Sequence, residues 1–166
     1  MNIEQIMISE TNKKYRPGIK MKPRYITVHE TGTTAKNADA FGHARVQAKE
    51  NSNLGSSWHY TVDDSDIIYQ SIPDNEVSWQ VKEINSPCNM SSIGISICVN
   101  AGAVFRRARY NTIQLIIFLM KKYSIPLGGV YPRNKWDKSS SPEKILTLGW
   151  HHFIGELKYE LDQLKV

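Results

Sequence analysis

Two short β-branched runs constrain the fold of this chain more than any other feature. The first, "YITVHE" at Tyr25–Glu30, and the second, "IGISICV" at Ile93–Val99, have the length and composition of strands buried inside a sheet. Segments with helical spacing of apolar residues follow each run, so strands and helices alternate along the chain. This pattern predicts an α/β fold in which helices flank a central mixed β-sheet.

The other elements are predicted from local patterns. The acidic turn "DDSD" joins two strand-like runs, Trp58–Val62 and Ile67–Ser71, and indicates a β-hairpin. Apolar residues at helical spacing predict helices over residues 38–50 and 104–123. A final helix is expected to begin near Pro142, because proline is well suited to the first turn of a helix.

The length and composition indicate one domain. A chain of 166 residues that is 40% hydrophobic can bury a core of its own. Residues 1–24 are polar and contain two prolines, so we expect an irregular N-terminal arm there and a single domain over residues 25–166. The formal charge of +5 favours encounters with anionic polymers without selecting one of them.

The location of the protein is predicted from what the sequence lacks. Cys88 and Cys98 do not form a disulfide framework, and the first residues have no apolar core of signal-peptide length. No apolar run approaches the roughly 18 residues of a membrane-spanning helix. We therefore expect synthesis in the cytoplasm without a signal peptide or transmembrane segment.

Four blocks of the sequence carry a family resemblance. In order they are "RYITVHETGTTAKNADAFGHARVQAKEN", "SSWHYTVDDSDIIYQSIPDNEVSWQV", "SSIGISICVN" and "IPLGGVYPRNKWDKSSSPEKIL". Together they resemble the zinc-dependent N-acetylmuramoyl-L-alanine amidases of phage endolysins and bacterial autolysins, which are related to the peptidoglycan recognition proteins. The resemblance covers about residues 23–161. It implies a mixed sheet with a substrate groove, and cleavage of the amide between the lactyl group of muramic acid and the first alanine of the stem peptide.

Zinc-dependent amide hydrolysis requires three protein ligands, a metal-bound water and a carboxylate that acts as base. The resemblance places the first ligand at His29. It places Arg133 at the second histidine ligand and Ser141 at the cysteine ligand. Arginine has no lone pair to give a metal, and a neutral serine hydroxyl is a poor substitute for a thiolate. Ser96 stands at the catalytic glutamate and has neither its charge nor its basicity.

Two further positions depart from the family pattern. Ser139 occupies the place of a lysine that would stabilise the oxyanion, and Gln80 replaces a histidine often found after the tryptophan, here Trp79. We therefore expect a protein that has lost zinc and catalysis, with no cofactor. It would bind peptidoglycan fragments or another ligand in the old groove. The residues expected to contact that ligand are His29, Trp79, Gln80, Arg133 and Trp136.

Two alternatives remain open. The chain could be an active peptidoglycan amidase whose zinc is held by a rearranged set, such as His29 with His43, His59 or Cys98. It could also be a phage-borne interaction or inhibitor protein built on the amidase scaffold, released at lysis. The expected partners are accordingly peptidoglycan or a muropeptide, or an anionic small molecule or protein that pairs with Arg133. Nucleic acid is not expected.

Overall fold

A six-stranded mixed sheet forms the centre of the computed structural model, which describes residues 1–164. The strands are β1 (Asn2–Gln5), β2 (Tyr25–Glu30), β3 (Tyr60–Val62), β4 (Ile67–Gln70), β5 (Ser92–Ile97) and β6 (Val130–Pro132). Their order across the sheet is β1-β4-β3-β5-β2-β6. The β3–β4 pair is antiparallel, as the hairpin prediction requires, and the other pairs are parallel. The predicted fold class is confirmed.

Five α-helices flank this sheet within the described residues. They are α1 (Ala40–Ala48), α2 (Pro87–Ser91), α3 (Phe105–Tyr123), α4 (Glu143–Leu148) and α5 (Trp150–Gln163). The prediction of one continuous final helix is wrong, because Gly149 has a φ of 98° and separates α4 from α5. Glycine adopts this conformation without the steric penalty of a side chain. Of the helices in residues 1–164, none is long and apolar enough to cross a membrane.

The N-terminal arm is more ordered than the sequence indicated. Its first residues form β1, which pairs in parallel with β4 at the edge of the sheet. Further along, the Arg16 Nε donates to Glu76 Oε2 at 2.6 Å, and both side chains are buried. This hydrogen bond holds the pKa of Glu76 down to about 2, with Lys20 helping and burial opposing. The expectation of an irregular arm over residues 1–24 is therefore wrong for β1, a four-residue strand with a single apolar side chain, Ile3.

Strands β2 and β5 separate two chemically different faces of the sheet. Because successive side chains of a strand point to opposite faces, one set of residues faces α3 and α5 and the other faces away. The first set is apolar and belongs to the main core: Ile26, Val28, Ile93, Ile95 and Ile97. The second set is polar or lacks a side chain: Thr27, His29, Ser92, Gly94 and Ser96. We call the first the apolar face and the second the polar face.

Candidate functional site

The site begins with two adjacent residues on the polar face. His29 on β2 and Ser96 on β5 are register partners in the parallel ladder, and Thr61 on β3 is the partner of Ser96 on its other side. All three are buried, with His29 only 4% exposed. The sheet therefore places the predicted first-ligand position directly beside the position where the family resemblance expects a catalytic carboxylate.

The segment after β6 closes this region from one side. Strand β6 pairs with β2, so the turn at Arg133–Lys135 that follows it contacts β2. Farther along the same segment, the Ser141 hydroxyl accepts a hydrogen bond from the Glu30 amide at 2.9 Å. Both residues expected at the lost ligand positions, Arg133 and Ser141, are thus brought to the end of β2 that carries His29.

His29 is held by a glutamine rather than by a charged group. Its Nε2 lies 2.8 Å from Gln80 Oε1, and Gln80 is completely buried. Burial lowers the pKa of His29 to about 4, although the Gln80 hydrogen bond favours the protonated ring; the nearby Arg133 charge lowers it further. The imidazole is therefore neutral at neutral pH.

Asp137 is a member of the site that sequence reasoning missed. Its Oδ2 accepts from Arg133 Nε at 3.0 Å, and its Oδ1 accepts from the Ser139 amide at 2.9 Å. Burial alone would raise the pKa of Asp137, but the hydrogen bonds with Ser139 and the Arg133 charge outweigh burial and hold this pKa below its usual range. The signal in the sequence was an acidic residue four positions after Arg133. Its carboxylate balances the arginine charge on which an anionic ligand would depend.

Trp136 forms an aromatic wall at the edge of the site. Its Nε1 donates to Thr27 Oγ1 at 3.0 Å, and its ring packs against Tyr25 and Tyr131 at centroid distances of 5.6 and 5.3 Å. The ring is partly exposed, as a surface for a ligand requires. Trp79 is also partly exposed, and its backbone is fixed by hydrogen bonds with Ser57.

Cys88 lies beneath the site and was not identified from the sequence. Its Sγ is 3.6 Å from Gln80 Oε1 and 3.7 Å from Thr27 Oγ1. Burial raises the pKa of Cys88 to about 12, so the group is a neutral thiol at physiological pH. A buried thiol of this kind is neither a nucleophile nor a ready metal ligand.

The reserve ligands considered from the sequence do not gather around His29. Both ring nitrogens of His59 are used, because Nδ1 accepts from the Gly94 amide at 2.9 Å and Nε2 lies 2.8 Å from the Glu76 carbonyl oxygen. His43 lies on α1 with its ring edge-on to Trp58. Cys98 packs in a small apolar cluster on the α1 side, and burial raises the pKa of its thiol.

The residues present do not fit the zinc ion that the fold family implies. A zinc site of this kind needs three donor side chains. His29 can offer at most one ring nitrogen, because its Nε2 is hydrogen-bonded to Gln80. Arg133 has no lone pair, and the neutral Ser141 hydroxyl accepts from a backbone amide, so the other two donors are missing. Across residues 1–164, no group of three or more His, Cys, Asp or Glu side chains is arranged to hold a metal.

Two other charged regions, Glu30 and the arginines of the segment "FRRARY" at Phe105–Tyr110, lie outside this site. Glu30 turns away from His29, and its Oε1 accepts from the Lys144 and Ile145 amides at the start of α4. The arginines of "FRRARY" line a groove of about 1110 Å³ against α5, on the apolar-face side of the sheet. Two of them are paired with acidic residues, Arg107 with Asp66 and Arg109 with Glu156. Because their charges are paired in this way, these two arginines form part of a charged helix surface.

The fold defines an α/β domain with a mixed central sheet, and comparisons with known proteins assign it to a family. Residues 19–144 match the family described as N-acetylmuramoyl-L-alanine amidase, and the chain belongs to this family. It is 46% identical to the N-acetylmuramoyl-L-alanine amidase CwlH of Bacillus subtilis (strain 168) over 84% of this chain and 54% of that protein. It is 44% identical to XlyA of the same organism over 83% of this chain and 45% of that protein. The chain thus spans about half the length of these relatives.

Solved structures agree with this assignment. The catalytic domain of XlyA superimposes with a TM-score of 0.88 at 41% sequence identity, covering 95% of this chain and 99% of that chain. PlyL superimposes with a TM-score of 0.82 at 28% identity, covering 95% of this chain and 97% of that chain. The family resemblance seen in the sequence is confirmed.

Proposed function

We propose that this domain binds peptidoglycan fragments in the groove around His29 without hydrolysing them. The observation that supports the proposal is the set of side chains around His29, which are Ser96, Arg133 and Ser141. The family resemblance assigns these three positions to a base and two metal ligands, and none of the three side chains can take those roles. Water attacks an amide slowly unless a metal or a base activates it. A site with neither group retains the capacity to bind.

The charges at the site favour a neutral part of the ligand over a free anion. Asp137 balances the Arg133 charge, since the two groups are 3.0 Å apart. The neutral ring of His29 adds no positive charge to the pocket. A muropeptide offers a neutral amide to these groups and a sugar ring to Trp136. The anionic small molecule considered from the sequence would have to compete with Asp137 for the guanidinium.

The test is to rebuild the family's site and measure zinc and hydrolysis together. We expect wild-type protein purified without chelators to contain far less than one zinc per chain and to release no peptide from muropeptides. The combined variant Arg133→His, Ser141→Cys, Ser139→Lys and Ser96→Glu should bind stoichiometric zinc and gain hydrolysis. A matched variant that keeps Ser96 should bind zinc with little hydrolysis, because it lacks the base.

Binding is measured separately by calorimetry with N-acetylmuramoyl-L-alanyl-D-isoglutamine. Arg133→Ala and Trp136→Ala should each weaken binding by about tenfold, equivalent to about 1.4 kcal/mol. Arg106→Ala, on the opposite side of the sheet, is the matched control and should leave the affinity unchanged. Equal affinity in all variants would place the ligand elsewhere.

An active amidase is the second candidate, and identity of 46% to CwlH over most of this chain favours it. Under this hypothesis the wild-type protein carries zinc and lyses cell walls. Stoichiometric zinc together with hydrolysis that His29→Gln abolishes would replace the binding proposal with this one.

A further inference from the structure

The hydrogen bonds of Gln80 determine which way its amide faces. Its Nε2 lies 2.8 Å from the Cys88 carbonyl oxygen and 2.8 Å from the Ser92 carbonyl oxygen. Carbonyl oxygens only accept, so the NH₂ group must face both of them. The Oε1 atom is therefore the one that faces His29. The network fixes this orientation independently of how the two amide atoms are assigned.

This orientation in turn determines the tautomer of His29. The amide oxygen of Gln80 can only accept a hydrogen bond, so His29 Nε2 must carry the hydrogen across their 2.8 Å separation. In a neutral imidazole the other nitrogen then holds a lone pair. Nδ1 of His29 is consequently a hydrogen-bond acceptor.

Packing prevents Gln80 from taking another position. A Cβ atom on Gly94 would lie 2.5 Å from Gln80 Oε1 and 2.7 Å from its Cδ, so the glycine leaves room for the amide. The backbone is fixed as well, because Asn89 Oδ1 accepts from the Gln80 and Val81 amides at 2.8 and 3.0 Å. The amide is completely buried and has all its hydrogen-bonding groups occupied, so it is held in place before any ligand arrives.

We infer that Gln80 is the positioning residue of this site, locking His29 as the Nε2–H tautomer so that Nδ1 accepts a hydrogen bond from a ligand N–H or O–H. Resting on the proposed function, the ligand group is the uncleaved lactyl-alanine amide, whose N–H can donate to Nδ1. Hydrolysis of this amide would leave a carboxylate, which carries no hydrogen at neutral pH. Its oxygen could not donate to His29 Nδ1 and would face the lone pair of that nitrogen. The site therefore selects the intact muropeptide over the product acid.

The first test uses ¹⁵N-histidine-labelled protein without ligand, so it does not depend on peptidoglycan binding. The nitrogen spectrum should show His29 at neutral pH with hydrogen on Nε2 and none on Nδ1. His59 is an internal reference, because the Gly94 amide donates to its Nδ1 and its Nε2 donates to the Glu76 carbonyl. His29→Gln assigns the signals.

Variants of Gln80 separate positioning from simple burial. Gln80→Met removes the acceptor and should give a mixture of His29 tautomers while His59 stays unchanged. Gln80→Glu keeps an acceptor and should retain the Nε2–H tautomer, although it loses the two donated hydrogen bonds. Gln70→Met, at another buried glutamine on β4, should leave His29 unchanged. If Gln80→Met does not fold, the spectra of the wild type and of Gln80→Glu still show whether His29 is the Nε2–H tautomer.

Two results of the tautomer measurements would overturn the positioning role: a wild-type His29 protonated on Nδ1, or a folded Gln80→Met protein with an unchanged His29 tautomer.

The ligand is tested by titrating N-acetylmuramoyl-L-alanyl-D-isoglutamine and, separately, N-acetylmuramic acid. We expect the intact amide to bind at least about tenfold more tightly, with the preference reduced in Gln80→Met. Equal affinity for both refutes the selectivity for the amide. Absence of binding by either, with the expected tautomer, refutes the proposed function and leaves the positioning role standing.

Discussion

The two faces of β2 and β5 share one backbone but hold their side chains in place by different interactions. On the apolar face, isoleucine and valine side chains are fully buried against α3 and α5, and shape and volume hold them in place. On the polar face, the buried groups are His29, Ser92 and Ser96, and hydrogen bonds such as that between His29 and Gln80 arrange them. Close-packed apolar side chains lose stability when their volume changes, whereas a buried polar group that loses its partner incurs a desolvation cost. The comparison teaches that the apolar face contributes mainly to stability, while the polar face carries the groups on which the proposed recognition depends.

The largest change in the free energy of unfolding is expected from a substitution on the apolar face. Ile95→Ala removes a fully buried side chain at the centre of β5 and should lower the free energy of unfolding by about 2–5 kcal/mol, through lost burial and the cavity left behind. Denaturant titration measures the change. Phe118→Ala on the exposed side of α3 is the control and should cost much less. Comparable losses from the two variants would contradict the assignment of the core.

Acid sensitivity is expected to come from the polar face. Folding lowers the pKa of His29 to about 4 from its ordinary value of 6.5, so the unfolded chain takes up the proton first. The stabilisation is complete above pH 6.5 and is lost as the pH falls towards 4, by an amount on the order of 3 kcal/mol. Burial also lowers the pKa values of His43 and His59, which act in the same direction.

Denaturant titrations between pH 7 and pH 4 test this dependence. The free energy of unfolding should fall with pH in the wild type and fall less steeply in His29→Gln. His151→Gln, at an exposed residue on α5, serves as the comparison and should follow the wild type. An identical slope for His29→Gln and wild type would show that His29 is not held neutral by the fold.

Two glycines, Gly94 beside the site and Gly155 in α5, differ in the space that an added side chain would find. Gly94→Ala would bring its Cβ to 2.5 Å from Gln80 Oε1, so the amide must move, at a cost of about 1–3 kcal/mol. Gly155→Ala in α5 meets no atom within 4 Å and should stabilise the protein by about 0.5–1 kcal/mol, because alanine favours helix. Thermal unfolding should therefore move in opposite directions for the two variants.

The smallest change in the free energy of unfolding is expected from a substitution in the Arg133–Asp137 pair. Both side chains are about one quarter exposed, and pairs of this kind contribute up to about 1 kcal/mol. Asp137→Asn should therefore change the free energy of unfolding by less than that amount. It should also leave the Arg133 charge unbalanced and strengthen binding of anionic fragments such as N-acetylmuramic acid. A large loss of stability would mean that Asp137 is structural.

Local patterns were enough to predict the strands that carry the site. The β-branched composition and the length of "YITVHE" and "IGISICV" are properties of neighbouring residues, and they predict β2 and β5 directly. The placement of Arg133 and Ser141 near His29 required the family resemblance, because the loop that carries them has no periodicity. The ladder places His29 directly beside Ser96, a neighbour relation that the sequence alone did not predict.

The features that were missed depend on contacts distant in sequence. Strand β1 has four residues, of which only Ile3 is apolar, and its partner β4 lies about 65 residues later, so no local pattern marks it. The orientation of Gln80 depends on two backbone carbonyls and on the space above Gly94, which only the folded chain brings together. Asp137 was visible in the sequence, but its partner could be assigned only once the turn after β6 was known.

The Arg16–Glu76 ion pair bears on where the folding unit can be cut. The family match begins at residue 19, and a fragment starting there would lack both β1 and Arg16. The buried Glu76 carboxylate would keep only Lys20, whose side chain is largely exposed, and β4 would become a bare sheet edge. Bare edges pair with other chains. Such a fragment should therefore form oligomers at concentrations at which residues 1–166 remain monodisperse, because the first eighteen residues cover the edge of β4 that could pair with another chain.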